Sequence, residues 1–350
     1  MTAQEASPIS RWRSIVCNLY FDGKETSLTS STDLETYSQA RGAFLVKMLL
    51  AVLLLSPLVA AGQQVPLPPV DLGATSFTDG VGGPGLFLQE ILEPFHASHF
   101  NDPGGQKLPG DNSVNAFAAL TEVAYTTHYK FLGAWYGAEV LLPFAHADIQ
   151  TDLGVRGTQG GMGDLIFSPL LLQWPEHKVF GKSYFQRLHA VELVVPTGRY
   201  NRNAAVNVGN NVVSISPQYA GTVFLTPQLE ASWRVHYLWN SRNNDPNPVY
   251  NASSIQPGQA VHFNASVSYK LQSRLRAGLA GYYLKGITDP KIGDRNIANS
   301  REQIGAIGPG LWLDTKPFEI YLHAFFEMGA ENRPQGARFV FRIVKIFPAK

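Results

Sequence analysis

The sequence predicts an all-β protein, an antiparallel transmembrane β-barrel of about twelve strands. Three observations carry this. Apolar and polar residues alternate with a period of two over segments long enough to cross a bilayer at a tilt. Short and long connections between those segments alternate along the chain. An apolar secretion signal stands upstream of all of them.

The alternation is clearest from Leu229 onward. Leu229, Ala231, Trp233, Val235, Tyr237 and Trp239 are apolar or aromatic, and Glu230, Ser232, Arg234, His236 and Asn240 between them are polar. Val261, Phe263, Ala265, Val267 and Tyr269 repeat the rule against His262, Asn264, Ser266, Ser268 and Lys270. Phe318, Ile320, Leu322, Ala324, Phe326 and Met328 do so against Glu319, Tyr321, His323, Phe325 and Glu327. The apolar set is expected to face lipid and the polar set the lumen. A one-residue slip would turn Arg234 outward, at a cost of about 2–4 kcal/mol at the membrane midplane.

In chain order, strands are expected at 86–99, 113–126, 130–147, 163–174, 181–195, 211–225, 228–240, 260–271, 275–285, 302–313, 318–329 and 336–347. Tight turns are expected near 127–129, 175–180, 226–227, 272–274 and 314–317, with long polar loops between them. That asymmetry separates periplasmic turns from extracellular loops, and a soluble sandwich has no reason to sort its connections so. The last strand places Phe339, Phe341, Ile343 and Phe347 on one face and Arg338 and Arg342 on the other. An aromatic near the C-terminus suits recognition by the barrel-assembly machinery, although Pro348, Ala349 and Lys350 follow Phe347.

Upstream, residues 48–62 read as a signal peptide: Arg41 and Lys47 precede a short apolar run that ends in small residues. Cleavage is expected before Gly62 or Gln63. Residues 1–47 read as an upstream extension from a mis-assigned start or as a long n-region. Residues 63–85 are rich in Pro and Gly and form a periplasmic or lumenal lead-in, and 86–350 form the barrel.

The composition fits. The net charge is +1, so neither nucleic acid nor an anionic surface is implied as partner. The mean hydropathy of -0.07 argues against a bundle of membrane helices and is compatible with strands that meet lipid on one face. Cys17, the only cysteine, precedes the cleavage site, so the mature chain has no disulfide and no Cys-ligated metal. No cofactor is expected.

The segment Pro196-Thr197-Gly198-Arg199-Tyr200 is joined by Gly163-Asp164 with Pro169 and Trp174, by Gly209-Asn210 with Pro217, and by Thr226-Pro227 with Glu230. Gly281-Tyr282, Thr288-Asp289, Gly308-Pro309 and Glu331-Asn332-Arg333-Pro334-Gln335-Gly336 follow. In this order the motifs resemble the "protein involved in meta-pathway of phenol degradation" family of proteobacterial outer-membrane proteins, over residues 86–347. The resemblance implies an outer-membrane barrel linked to aromatic-compound catabolism, with uptake of small hydrophobic or aromatic solutes as its role. Outer-membrane lipid and such solutes are then the expected partners.

Candidate lumen-lining residues are Glu122, Glu139, Glu192, Glu230, Arg234, His236, His262, Lys270, Arg276, Glu319, His323, Glu327, Arg338 and Arg342. Their mixed signs suit an internal network of paired charges that narrows the passage. Glu230, Arg234 and His236 share one strand face, which also invites an acid–base or metal reading, but a strand face by itself shows no converging ligand set. Pro196–Tyr200 could cradle an anion, and equally it is a strand-ending turn. The glycine-rich run 154–163 lacks the Gly-Lys-Ser/Thr ending of a phosphate loop. His96-Ala97-Ser98-His99 raises an outer-membrane hydrolase, and the residues after Ser98 do not follow that family's pattern. Three rival classes therefore stand beside a non-enzymatic channel: a structural or adhesive barrel, a hydrolase and a soluble secreted β-barrel.

Overall fold

Strand-forming alternation becomes a closed wall. A computed structural model describes residues 64–152 and 154–349. The signal peptide and the upstream extension lie outside the described residues. Twelve long strands form the wall: β1 (Gly85–Phe100), β2 (Asn112–Phe131), β3 (Ala134–Thr151), β4 (Leu165–Val179), β5 (Lys182–Val195), β6 (Gln218–Phe224), β7 (Leu229–Asn240), β8 (Ala260–Gln272), β9 (Leu275–Gly286), β10 (Gln303–Asp314), β11 (Glu319–Glu331) and β12 (Pro334–Pro348). Each pairs antiparallel with its neighbours in sequence, and β1 pairs with β12 from Gly85↔Pro348 to Phe100↔Pro334. The sheet therefore has no free edge, as a membrane-spanning sheet requires.

The wall obeys the facing rule. On β11, Leu322, Phe326 and Met328 are exposed on the outside, while Tyr321, His323, Phe325 and Glu327 are buried inside. On β8, Val261, Phe263 and Val267 point outward, and His262, Asn264, Ser266 and Ser268 are buried. Exposed Tyr129, Phe131, Phe180, Tyr269, Phe318 and Phe347 cluster near the turn end, the position of an aromatic girdle at a membrane interface.

Two turns differ from expectation. β2 continues past Thr127–Tyr129 to Phe131, and the chain turns at Leu132–Gly133, with φ of 51° and 77°. β4 runs to Val179 and turns at Phe180–Gly181, with φ of 47° and 74°. Two consecutive positive φ angles are what a two-residue hairpin needs to match strand twist, and the glycine supplies the second without strain. Polar residues drew the sequence reading to the wrong side of each turn. Both β2 and β4 absorb the added residues in a register shift, between Thr126 and Lys130 and between Trp174 and His177.

Residues 64–84 run through the interior. At the loop end, Tyr250 Oη donates to Gln64 O (2.8 Å), Gln64 Nε2 donates to Asn332 O (2.6 Å), and Leu67 N donates to Glu302 (2.7 Å). From there the segment descends past β7, β8, β11 and β12 to Gly85 at the turn end. Val65, Leu72 and Phe77 are buried within the bore. A barrel of this strand number is too wide for wall side chains alone to fill, and the lead-in occupies the remainder.

Candidate functional site

The interior is built around the fit between this segment and the wall. Gly73 has φ +88°, and a Cβ there would lie 2.7 Å from the Phe325 ring, so only glycine fits. Gly73 N donates to Asn264 Oδ1 (2.9 Å), and Asn264 Nδ2 donates back to Asp71 O (3.0 Å). At Gly80 a Cβ would meet Thr222 N at 2.8 Å; Gly80 N donates to Thr222 Oγ1 (2.8 Å), and its carbonyl accepts from Gln173 Nε2 (3.1 Å). Phe77 sits edge-on to His323 at 5.1 Å.

The electrostatic centre is Arg234 on β7. Its guanidinium donates to both carboxylate oxygens of Asp79, at 2.5 and 2.9 Å, and to Asp71 at 3.3 Å. Arg187 on β5 adds a second cation 3.6 Å from Asp79. Arg342 on β12 donates to Gln89 on β1 and to Ala74 O of the segment (2.6 Å). Charges buried at this depth must be paired, and the fork geometry of guanidinium on carboxylate satisfies both partners.

The other residues expected to line the lumen fall into local groups. Glu230 accepts from Ser232 (2.6 Å) and Ser268, and Arg276 donates to Ser268 (2.8 Å). His236 and His262 stack with centroids 4.0 Å apart. Glu319 accepts from Trp312 (3.0 Å) and Tyr321 (2.7 Å), and Glu327 accepts from Tyr282 (2.8 Å) and Gly336 N (2.9 Å). Arg338 pairs with Glu93 at 3.1 Å. Glu122 accepts from Gln89 (2.5 Å), and Glu139 and Glu192 flank His189. Lys270 shares the face of its cross-strand partner Arg276 but stands exposed at the rim, beside the β8–β9 turn, where the register shifts between Lys270 and Gln272. Asp71, Asp79, Gln89, Arg187, His189 and Gln218 also lie inside. Arg187 and His189 escaped the sequence pattern because β5 lacks clean alternation, and Asp71 and Asp79 because the lead-in has no strand period at all.

Outside the strands, the motifs knit the loops together. The buried Asp164 carboxylate accepts from Gly198 N (2.9 Å), Asn210 N (2.8 Å) and Asn210 Nδ2 (3.0 Å), while Arg199 donates to Gly160 O (2.8 Å). The Pro196–Tyr200 segment is thus a turn anchored to the strand ends through Gly198, Arg199 and Asp164. Burial pushes the Glu302 carboxyl above the usual carboxylate range against the pull of Arg333, and it pushes the Tyr250 phenol up to about 12. Asp164→Ala should cost about 2–4 kcal/mol, since bonds to a charged acceptor are lost and the donors stay buried. Limited proteolysis of the folded barrel should then cut within 196–213, and an unchanged cleavage pattern would refute the anchoring role. Ser98 Oγ and His99 Nδ1 meet at 3.4 Å at the loop end of β1, an exposed contact between chain neighbours.

A closed antiparallel wall, apolar outside and polar within, with short turns at one end and long loops at the other, defines a bacterial outer-membrane β-barrel. The chain belongs to the family described as "Putative MetA-pathway of phenol degradation", whose model matches residues 97–343. Among solved structures it is similar to the COG4313 outer membrane channel from Pseudomonas putida F1, with TM-score 0.68 and 18% identity over 80% of this chain and 100% of that one. That likeness is one of fold. The transport unit of the autotransporter AIDA-I from Escherichia coli gives a TM-score of 0.46 at 9% identity, over 80% of this chain and 93% of that one, and carries no weight. Comparison with curated proteins gives no match.

Proposed function

We propose that the protein is a channel for small hydrophobic or aromatic compounds, linked to aromatic catabolism as its family's description suggests. The observation that supports an apolar solute is a groove of about 470 Å³ where β10, β11 and β12 meet β1. It opens on the lipid face and is lined there by Leu92, Pro94, Leu311, Leu322 and Phe339, with the backbone runs through Gly310, His323 and Val340 at its floor. The groove has a backbone cause. Pro309 has no N–H to give the ladder, and the β10–β11 pairing lapses at Gly308 and Pro309, between Ile307↔Phe326 and Gly310↔His323. An apolar solute loses little by entering such a place, whereas a sugar would leave its hydroxyl groups unpaired.

The test is solute flux into liposomes whose outer leaflet is lipopolysaccharide, which slows unassisted entry of apolar solutes. Phenol and catechol should enter faster with the protein than without it, and glucose should gain little. Equal acceleration of glucose, or no acceleration of either class, would remove the support for this reading. A structural or adhesive barrel, or a hydrolase, would then have to be sought by its own assay.

A further inference from the structure

Independently of transport, the wall brings together side chains that the strands keep apart in sequence. Glu139 lies on β3, His189 and Glu192 on β5, and Gln218 on β6. The intervening strand β4 lets this happen. Opposite Glu139 it carries Ser168, a small side chain tied down to Val191 O (3.0 Å). A register shift between Phe167 and Leu170 moves the backbone there. The Glu139 and Glu192 carboxylates each reach to 3.7 Å from the same atom, His189 Nδ1. One donor atom from each of the three residues lies within 4.8 Å of the others.

Neither Glu139 nor Glu192 forms a direct ion pair with Lys or Arg among the described residues; Arg187 acts on Glu139, and Arg234 on both, only at longer range. Glu122 adjoins Glu139 and adds a third carboxyl. Gln218, buried, places Nε2 3.2 Å from His189 Nδ1 and bonds Glu192, while its Oε1 has no partner. In the tautomer that carries its proton on Nε2, His189 Nδ1 offers a lone pair, which then converges with two carboxylates on one region. Two carboxylates and a lone pair so placed repel one another, and a bound cation relieves this as protonation of a carboxyl does. Turning the Gln218 amide end for end would bring the unpartnered Oε1 to the same centre as a fourth donor. The separations also fit. Donors about 2.1 Å from a tetrahedral ion lie roughly 3.4 Å from one another, close to what the carboxylates and Nδ1 already show.

We propose that Glu139, His189 and Glu192, with Gln218 beside them, form a binding site for one divalent first-row transition ion inside the barrel. One imidazole among oxygen donors selects Zn²⁺ or Mn²⁺ over Ca²⁺ and Mg²⁺, which take oxygen alone. A bound ion would tie β3, β5 and β6 together across the inner wall.

The experiment uses the full mature chain in detergent, without an affinity tag and stripped with a chelator. Titration with Zn²⁺ and with Mn²⁺ should show one equivalent bound, and Ca²⁺ should not compete. Glu139→Gln and His189→Gln should each weaken binding by roughly tenfold or more, since even loss of a partner that only orients a ligand costs that much. His146→Gln, an exposed loop-end histidine, should leave it unchanged. Should the interior variants fail to fold, the Mn²⁺-loaded wild-type chain gives a second readout: electron spin echo spectra should show coupling to one imidazole nitrogen. No stoichiometric binding, undiminished binding in both interior variants, or absence of the nitrogen coupling would each overturn the site.

Discussion

A mature chain lacking residues 63–80 should conduct ions far better than the full mature chain in planar bilayers. The deleted stretch holds Leu72, Phe77 and Asp79, which fill the bore, and it ends before Gly85, where the wall begins. The wall's own hydrogen bonds are complete without it, since every ladder from β1 round to β12 is wall to wall. Removing it exposes Arg187, Arg234 and Arg342 to water in place of their present partners. The opened lumen should therefore gain anion preference as well as conductance. Unchanged conductance with folding confirmed would mean that wall side chains close the passage by themselves.

Arg234→Ala should be the most damaging single change in the interior. Asp79 is almost fully buried and accepts two of the Arg234 bonds, and Arg187 at 3.6 Å is too far to replace them. A fully unpaired buried carboxylate costs about 3–5 kcal/mol, and Arg187 brings the loss below that range. The cost falls on seating the segment, since the wall ladders do not depend on Arg234. Opening events in single-channel records should become frequent while heat-resistant barrel mobility on gels persists. Asp79→Asn combined with Arg234→Met, which removes both charges, should recover much of the quiet state. If Arg234→Ala leaves the records as quiet as wild type, the ion pair does not hold the segment.

The wall was legible in the sequence because a barrel strand writes its environment at every second residue. Trp233, Val235 and Tyr237 against Ser232, Arg234 and His236 state both the strand and its facing. The turns were less legible, because Leu132 and Phe180 do not look like turn residues and reveal themselves only through the glycine that follows. The interior was legible face by face and not contact by contact. Glu230 and Arg234 share a face four residues apart, yet each binds a different partner: Ser268 on β8 for one, Asp79 of the lead-in for the other. His236, expected to line the lumen, is buried against His262, so replacing it with Arg would disturb packing rather than sit in an open channel. Partners brought together by closing the ring, such as Gln89 with Arg342 across the β1–β12 seam, leave no trace in any local window.

The course of residues 64–84 decides how the interior could ever be cleared. A hinged cap swings aside from one rim; a cord drawn down a closed tube has no sideways exit. Its lower end is continuous with β1, where Ala349 N bonds Pro84 O (3.1 Å), and its upper end is held by the loop residues Tyr250 and Asn332. Among the described residues, then, the segment can leave the bore only lengthwise, slipping toward the periplasmic rim to which it is tethered. A force or factor acting on that side has a handle on the segment through β1 itself, whereas at the loop end it meets the segment only where Tyr250 and Asn332 hold Gln64.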